Sequence, residues 1–233
     1  MNNYVIFKGI DSRTIRGLII QELPSITKPK MRVSETVIDG VDGSYIEELG
    51  YESYDKTIKI GLTRNYDIDE VIKYFTGSGE LVMSNEPDKI YKCSILDKID
   101  YEKLLRFKKA VVKFYTQPFK YLKDEQEIDL TIGSEESLGV NNQGIEKSKP
   151  VITLYGSGTI ELKINNVVVF DYTFPEGESE VIIDSTEEEA YLNGEYKNRN
   201  MTGEFPVFSS GLNIISWTGS LTRIKVQPKS RWL

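Results

Sequence analysis

Residues 159–165, TIELKIN, set Ile160, Leu162 and Ile164 at every second position, with Thr159, Glu161 and Lys163 between them. A period of two belongs to a strand, whose side chains alternate between faces, so one face of this run is core and the other is free. Asn165-Asn166 then separates it from VVVFDYTF (167–174), the spacing of a tight hairpin. The same signature of short β-branched or aromatic runs bounded by Gly, Pro, Asp or Asn recurs along nearly the whole chain. It restricts the fold class to mainly β.

In the first half, residues 3–10, 16–23, 29–38 and 54–62 read as strands, and DGVDGS at 39–44 as the tip of a long hairpin. One helix interrupts them over 67–76. Ile68, Val71, Ile72 and Phe75 fall at i, i+3, i+4 and i+7, Asp67 is placed to cap it with Glu70 as capping-box partner, and Gly77 closes it. In IYKCSILDKIDY, Tyr91, Cys93, Ile95, Ile99 and Tyr101 share one parity, which predicts a long half-buried strand with Cys93 as a small core residue. LLRFKKAVVKFYTQP predicts another, with a β-bulge at Lys108-Lys109 where the apolar parity slips from Leu105 and Phe107 to Ala110, Val112 and Phe114. Residues 124–150 are rich in turn formers and acids and read as a connector with one short strand at Ile128–Ile132. Six further strands, 151–155, 159–165, 167–174, 179–184, 212–219 and 221–228, have the spacing of a sandwich. The expected organisation is a 1–130 β-domain and a 131–233 β-sandwich, with the boundary between 125 and 145.

Composition narrows the chemistry. The 233 residues contain no histidine and one cysteine, which removes the usual neutral-pH base, the usual metal ligand, the Ser-His and Cys-His pairs and any intrachain disulfide. Residues 1–123 carry 20 Lys+Arg against 18 Asp+Glu, whereas residues 124–233 carry 9 against 18. The acidic second half repels nucleic acid, and the first shows no basic stripe interleaved with aromatics, so a protein partner is the expectation. No apolar run approaches the ~20 residues of a membrane helix, and MNNYVIFKGIDSR lacks a basic n-region and a cleavage pattern. Expected, then, are no membrane partner and no signal peptide.

Candidate sites compete with plainer readings. A β-sandwich with tryptophans and acids invites carbohydrate binding, but Trp217 lies inside an apolar strand and reads as core, and Trp232 is penultimate. Glu161, Asp171, Asp184 and Glu187 to Glu189 supply carboxylates without marking out the facing pair that glycoside hydrolysis needs, and the Glu187–Glu189 run reads as a solvated turn. DGVDGS lacks the spacing of a calcium loop, and the GSG runs at 77–79 and 156–158 lack the Lys-Ser/Thr of a phosphate cradle. No catalytic residue, cofactor site or metal site is therefore assigned.

FKGIDSR, ELPSITKPKMRV, DGVDGSYIEELGYESYDKTIKIGL and RFKKAVVKFYTQPFKY resemble the N-terminal domain of the distal tail (Dit) proteins of long-tailed phages of Gram-positive bacteria. NNQGIEKSKPVITLYGSGTIELKIN, GEFPVFSSGLNIISWTG and the closing RWL resemble the C-terminal galectin-like sandwich of that family. The resemblance implies a virion or prophage-encoded structural protein, not an enzyme: an N-terminal β-sandwich or tube-like domain with one helix and a long hairpin, then a galectin-like β-sandwich. It also implies a homo-hexameric ring at the virion tail tip, joining the tail tube protein to tail-associated, baseplate, fibre or receptor-binding proteins. Carried over by position, Pro29 to Tyr54 include the hairpin that embraces the neighbouring subunit, with Pro29, Arg32, Val37, Asp42, Tyr45, Tyr51 and Tyr54 as candidate interface residues. The alternative reading is a carbohydrate-binding β-sandwich module.

Overall fold

The computed structural model describes residues 3–233. The chain divides into two compact units between Lys123 and Asp124.

The first unit contains β1 (Val5–Phe7), β2 (Ile10–Asp11), β3 (Leu18–Glu22), β4 (Met31–Thr36), β5 (Tyr45–Tyr51), β6 (Tyr54–Leu62), α1 (Ile68–Tyr74), β7 (Ser78–Met83), β8 (Glu86–Ser94), α2 (Tyr101–Phe107) and β9 (Lys109–Leu122). Its main sheet is antiparallel in the order β2-β1-β7-β8-β9-β6-β3. Alternate residues of these strands meet in one core: Phe7, Ile58, Ile60, Leu81, Tyr91, Val112 and Phe114 are fully buried. Helix α1 closes that core with Val71, Tyr74 and Phe75, and the Tyr74 hydroxyl donates to the carbonyls of Val5 and Ile10 at 3.1 and 3.2 Å.

Two expectations need correction. Asp67 does cap α1, accepting from the amides of Asp69 and Glu70, but Glu70 does not complete a capping box. Its carboxylate instead accepts from the Arg16 amide at 3.2 Å, tying the helix to the chain entering β3. The pair of long strands with a bulge at Lys108-Lys109 is replaced by a strand that stops at Ser94 and a second helix, α2, so the described residues of the first unit form two α-helices and not one. Asp100 caps α2 through the Lys103 amide at 2.8 Å, and Lys108 ends it in the left-handed conformation at φ +55°. The parity slip thus marks a helix end. Ile95, Ile99 and Tyr101 still pack on the core, from a loop and a helical turn.

The second unit contains β10 (Ile128–Thr131), β11 (Ser137–Asn142), β12 (Val151–Ile164), β13 (Val167–Thr173), β14 (Glu180–Asp184), β15 (Glu189–Leu192), β16 (Glu195–Tyr196), β17 (Met201–Gly203), β18 (Gly211–Gln227) and β19 (Arg231–Trp232). Two strands expected on each side of a break are single long ones, β12 and β18, which pair with each other along most of their length. Each bends midway, at Gly158 (φ +67°) and Gly219 (φ +95°), where the register shifts. Beyond the bend both change layers: Val151–Tyr155 pairs with β14, while the half from Thr159 pairs with β13, and β18 likewise meets β10 with one half and β11 with the other. Strands that cross between layers in this way build a sandwich around one core, here Ile152, Leu154, Ile160, Leu162, Phe170, Tyr172, Ile215 and Ile224 among others. The chain is mainly β, as the alternation predicts.

Candidate functional site

Strands β4 and β5 form a sheet of their own, joined to neither larger sheet. Their register pairs Val33 with Glu48, Ser34 with Glu47, Glu35 with Ile46 and Thr36 with Tyr45. The tip closes with the Val41 amide donating to the Ile38 carbonyl at 3.1 Å. Gly40 and Gly43 there adopt φ +83° and +85°, which a β-carbon would oppose. Every ladder residue except Met31 and Tyr51 is exposed.

An isolated two-stranded sheet is marginal in water, because it leaves both edges unpaired and has no face to bury. This one also carries Val33, Val37, Ile38, Val41, Tyr45, Ile46 and Leu49 into solvent, with Val37 69%, Tyr45 63% and Ile46 64% exposed. Scattered surface apolar residues are ordinary; seven on one projecting hairpin are a sticky surface.

The root is fixed, in contrast to the tip. The Glu52 amide donates to the Lys30 carbonyl at 2.8 Å, Tyr51 meets Phe119 edge-on with ring centroids 5.8 Å apart, and Thr116 Oγ1 donates to the Tyr54 carbonyl at 2.7 Å. Pro29 is buried. Of the residues predicted for an interface, Arg32, Val37, Asp42 and Tyr45 therefore stand on the free hairpin, whereas Pro29, Tyr51 and Tyr54 lie at its base against their own domain. Arg32 is engaged within the hairpin, donating from Nη2 to the Leu49 carbonyl at 3.0 Å. Val37 lies just past the ladder, which ends at Thr36.

Beneath the root lies an ionic cluster that the sequence reading passed over. Lys56 is 1% exposed, and Lys120 and Glu86 are nearly as enclosed. Lys120 Nζ meets Glu86 Oε1 at 2.5 Å, the Tyr91 hydroxyl donates to Glu86 Oε2, and Lys56 Nζ donates to the Ser25 carbonyl at 3.2 Å, pinning the segment that leads to the hairpin. Burial pulls the Lys56 ammonium down from its ordinary range, with Glu86 opposing and Lys120 adding to that fall. Burial, then Glu86, raises Tyr91, and burial pushes the Tyr54 phenol up to about 12. The signal was present in YDKTIKIGL, where Lys56 shares its parity with Ile58 and Ile60.

The second unit has a smaller ionic cluster, around the buried Lys197. Trp217 packs against its core, and Tyr196 is the one aromatic among the exposed large apolar side chains of the described residues there. A cleft of ~380 Å³ contains Glu178, Glu180 and Glu195, but Glu178 and Glu195 both pair with the buried Lys197, at 2.7 and 3.0 Å. Two of these three carboxylates are engaged by one ammonium. Glu187 and Glu188 lie in a turn, with Glu188 paired to Lys149. Cys93 is buried, its Sγ is 3.5 Å from the Gly79 carbonyl and burial pushes its thiol up to about 12. It is a core residue without thiolate character. Among the described residues no group of three or more His, Cys, Asp or Glu is placed to hold a metal ion, and no helix is long and apolar enough to cross a membrane.

No protein-family model matches this chain, and no curated protein does. Among solved structures it is similar to the crystal structure of SPP1 Dit (gp 19.1), described as a paradigm of hub adsorption apparatus in Gram-positive infecting phages. The alignment has a TM-score of 0.75 at 15% identity and covers 100% of both chains. Chains of the phage p2 baseplate in its activated conformation, with Sr and with Ca, align at 7% identity over 96% and 97% of this chain and 97% and 98% of theirs. Their TM-scores are 0.46 and 0.44, a similarity too low to establish a shared fold.

Proposed function

We propose that this chain, which shares the complete two-unit fold of a phage Dit hub protein at 15% identity, is itself a structural hub at the distal end of a phage tail. In this reading six copies close into a ring through the β4–β5 hairpin, and the ring joins the tail tube protein to baseplate, fibre or receptor-binding proteins. The observation that carries it is a full-length hub fold presenting a two-stranded sheet with no partner strand in its own chain. A projecting hairpin with unpaired edges and exposed Val37, Tyr45 and Ile46 gains its missing hydrogen bonds and apolar cover by lying on a neighbour. Contacts of that kind are head to tail, and rings are how such contacts close. The near-balanced charge of residues 1–123 limits repulsion between packed copies, and the excess acid of residues 124–233 suits an outward, solvated position.

Electron-microscopic class averages of the purified chain test this reading, alongside a variant in which residues 37–44 are replaced by Asn-Gly. Closed sixfold rings from the parent chain and folded, unassembled particles from the variant support it. Rings that persist in the variant remove the hairpin from the interface.

A further inference from the structure

The geometry points to the surface that receives the hairpin: the outer face of β3, β6 and β9 in a second copy of this chain. This inference rests on the assembly reading above and names its acceptor.

Core-facing residues of these strands alternate with outward ones, and the outward set brings together Ile19 and Gln21 of β3, Lys59 of β6 and Lys109 and Val111 of β9. Ile19 and Val111 are 44% and 54% exposed. Lys98 and Lys103, from the loop before α2 and its first turn, rim a groove of ~330 Å³ with Gln21, Lys59, Lys109 and Val111, and Ile19 lies next to it on β3. Lys59 is occupied by Glu22 at 2.5 Å, and Asp100 is occupied in capping α2. Lys98, Lys103 and Lys109 make no ion pair among the described residues, and with Lys59 they outnumber the adjoining carboxylates of Asp100 and Glu22 four to two, so the groove is net positive around an apolar floor. It lies at one end of the main sheet, beside β3, whose second edge has no ladder partner.

The hairpin is its complement. Residues 31–51 contain one basic side chain, Arg32, and five acids, Glu35, Asp39, Asp42, Glu47 and Glu48, interleaved with the seven exposed apolar residues. Acids pair with the lysine rim while Val33, Val37 or Ile46 covers Ile19 and Val111, a match of charge and of apolar surface on the same two elements. Donor and acceptor also sit apart. The hairpin enters β6 at Tyr54 and the groove lies at Lys59 to Gly61, so most of a nine-residue strand separates them, roughly 20 Å at about 3.3 Å per residue. Two different patches at opposite ends of one strand make a heterologous contact, which propagates from copy to copy instead of stopping at a dimer.

Charge reversal of the groove (Lys98→Glu, Lys103→Glu, Lys109→Glu) and of the hairpin (Glu35→Lys, Glu47→Lys, Glu48→Lys), separately and combined, tests the match. The readout is the concentration at half-assembly by light scattering, with urea midpoints confirming that each variant is folded. Each reversal alone is expected to raise that concentration about tenfold or more, and the combination to recover most of the loss. In parallel, a Val37→Cys chain mixed with a Val111→Cys chain is expected to give an intermolecular disulfide under mild oxidation. If hairpin reversal abolishes assembly while groove reversal changes nothing and the mixed chains do not cross-link, the acceptor is overturned and the assembly reading survives. If neither reversal changes assembly, the acceptor and the hairpin's place in the interface fail while the ring stands; if the parent chain never self-associates, the assembly reading itself fails. Loss of duplex DNA binding on groove reversal, with assembly unchanged, would assign the lysines to nucleic acid instead.

Discussion

Replacing Glu86 by Gln is the sharpest probe of what holds the hairpin root in place. In the parent structure one carboxylate serves two enclosed ammonium groups: Lys120 touches it at 2.5 Å, and Lys56 feels its charge from a site 1% exposed. Tyr91, fully buried, donates to the same carboxylate. The amide is nearly isosteric, so the change removes charge with little change in packing, leaving two cations in a desolvated pocket. Stripping one partner from a buried pair costs about 3–5 kcal/mol. For a domain of this size, with a urea slope of about 2 kcal/mol per molar, the unfolding midpoint of the first unit falls by roughly 2 M. Pairing the change with Lys120→Met removes the stranded charge and recovers most of the loss, since a buried ion pair replaced by apolar groups of similar volume is often neutral. Because the cluster lies inside, raising the salt concentration leaves the effect largely intact. Urea unfolding followed by tyrosine fluorescence or circular dichroism measures all three proteins. A loss below about 1 kcal/mol for Glu86→Gln, or no recovery in the double variant, refutes the view that this carboxylate neutralises the root.

Three further expectations follow from the same structure. Ile46→Ser changes a side chain 64% exposed in the single chain, so monomer stability stays within about 0.5 kcal/mol; burying that residue on a neighbour is worth about 1–2 kcal/mol, and sedimentation should show each contact weakened roughly tenfold. Cys93 and Tyr54 are both pushed up to about 12 in the folded chain from 9.0 and 10.0. Their protonated forms favour folding, so stability is whole below pH 9 and falls between pH 9 and 12 by up to about 1.4 kcal/mol per pH unit for each group titrating only in the unfolded state; urea midpoints that do not decline across this range contradict the assignment. Gly144→Ala places a β-carbon 2.2 Å from the Arg231 carbonyl oxygen, whereas one at Gly177 meets nothing within 4 Å, so calorimetry should show a loss of ~3 kcal/mol at the first and ~1 kcal/mol at the second, where only the φ of +83° is strained.

The parts of the fold that sequence reveals are those where one physical signal dominates. Alternation placed the strands around Ile160, Ile58 and Val112, and a 3.6-residue period placed α1. Helix α2 was hidden because it is seven residues long and buries only Leu104 fully, too little for a period to show above the strands beside it. The bends in β12 and β18 have the sequence signature of chain breaks, since Gly158 and Gly219 look the same whether a strand ends or turns a corner; the ladder partners on both sides decide which. β11, Ser137–Asn142, has the Gly and Asn content of a connector, yet Val140 is fully buried and all six residues pair with β18. At the site, the hairpin was legible from its alternating arms and Gly/Asp tip. Which of its residues are free and which anchored was not, because Tyr51 and Tyr54 are held by Phe119 and Thr116 of β9, partners distant in sequence.

Native mass spectrometry of the purified chain across a concentration series tests the central claim most directly, because the proposed ring requires self-association of defined stoichiometry. A dominant species of six copies that gives way to monomer on dilution, without partial unfolding, is the predicted result. A monomer at every concentration, or an isologous dimer that grows no further, would contradict the ring.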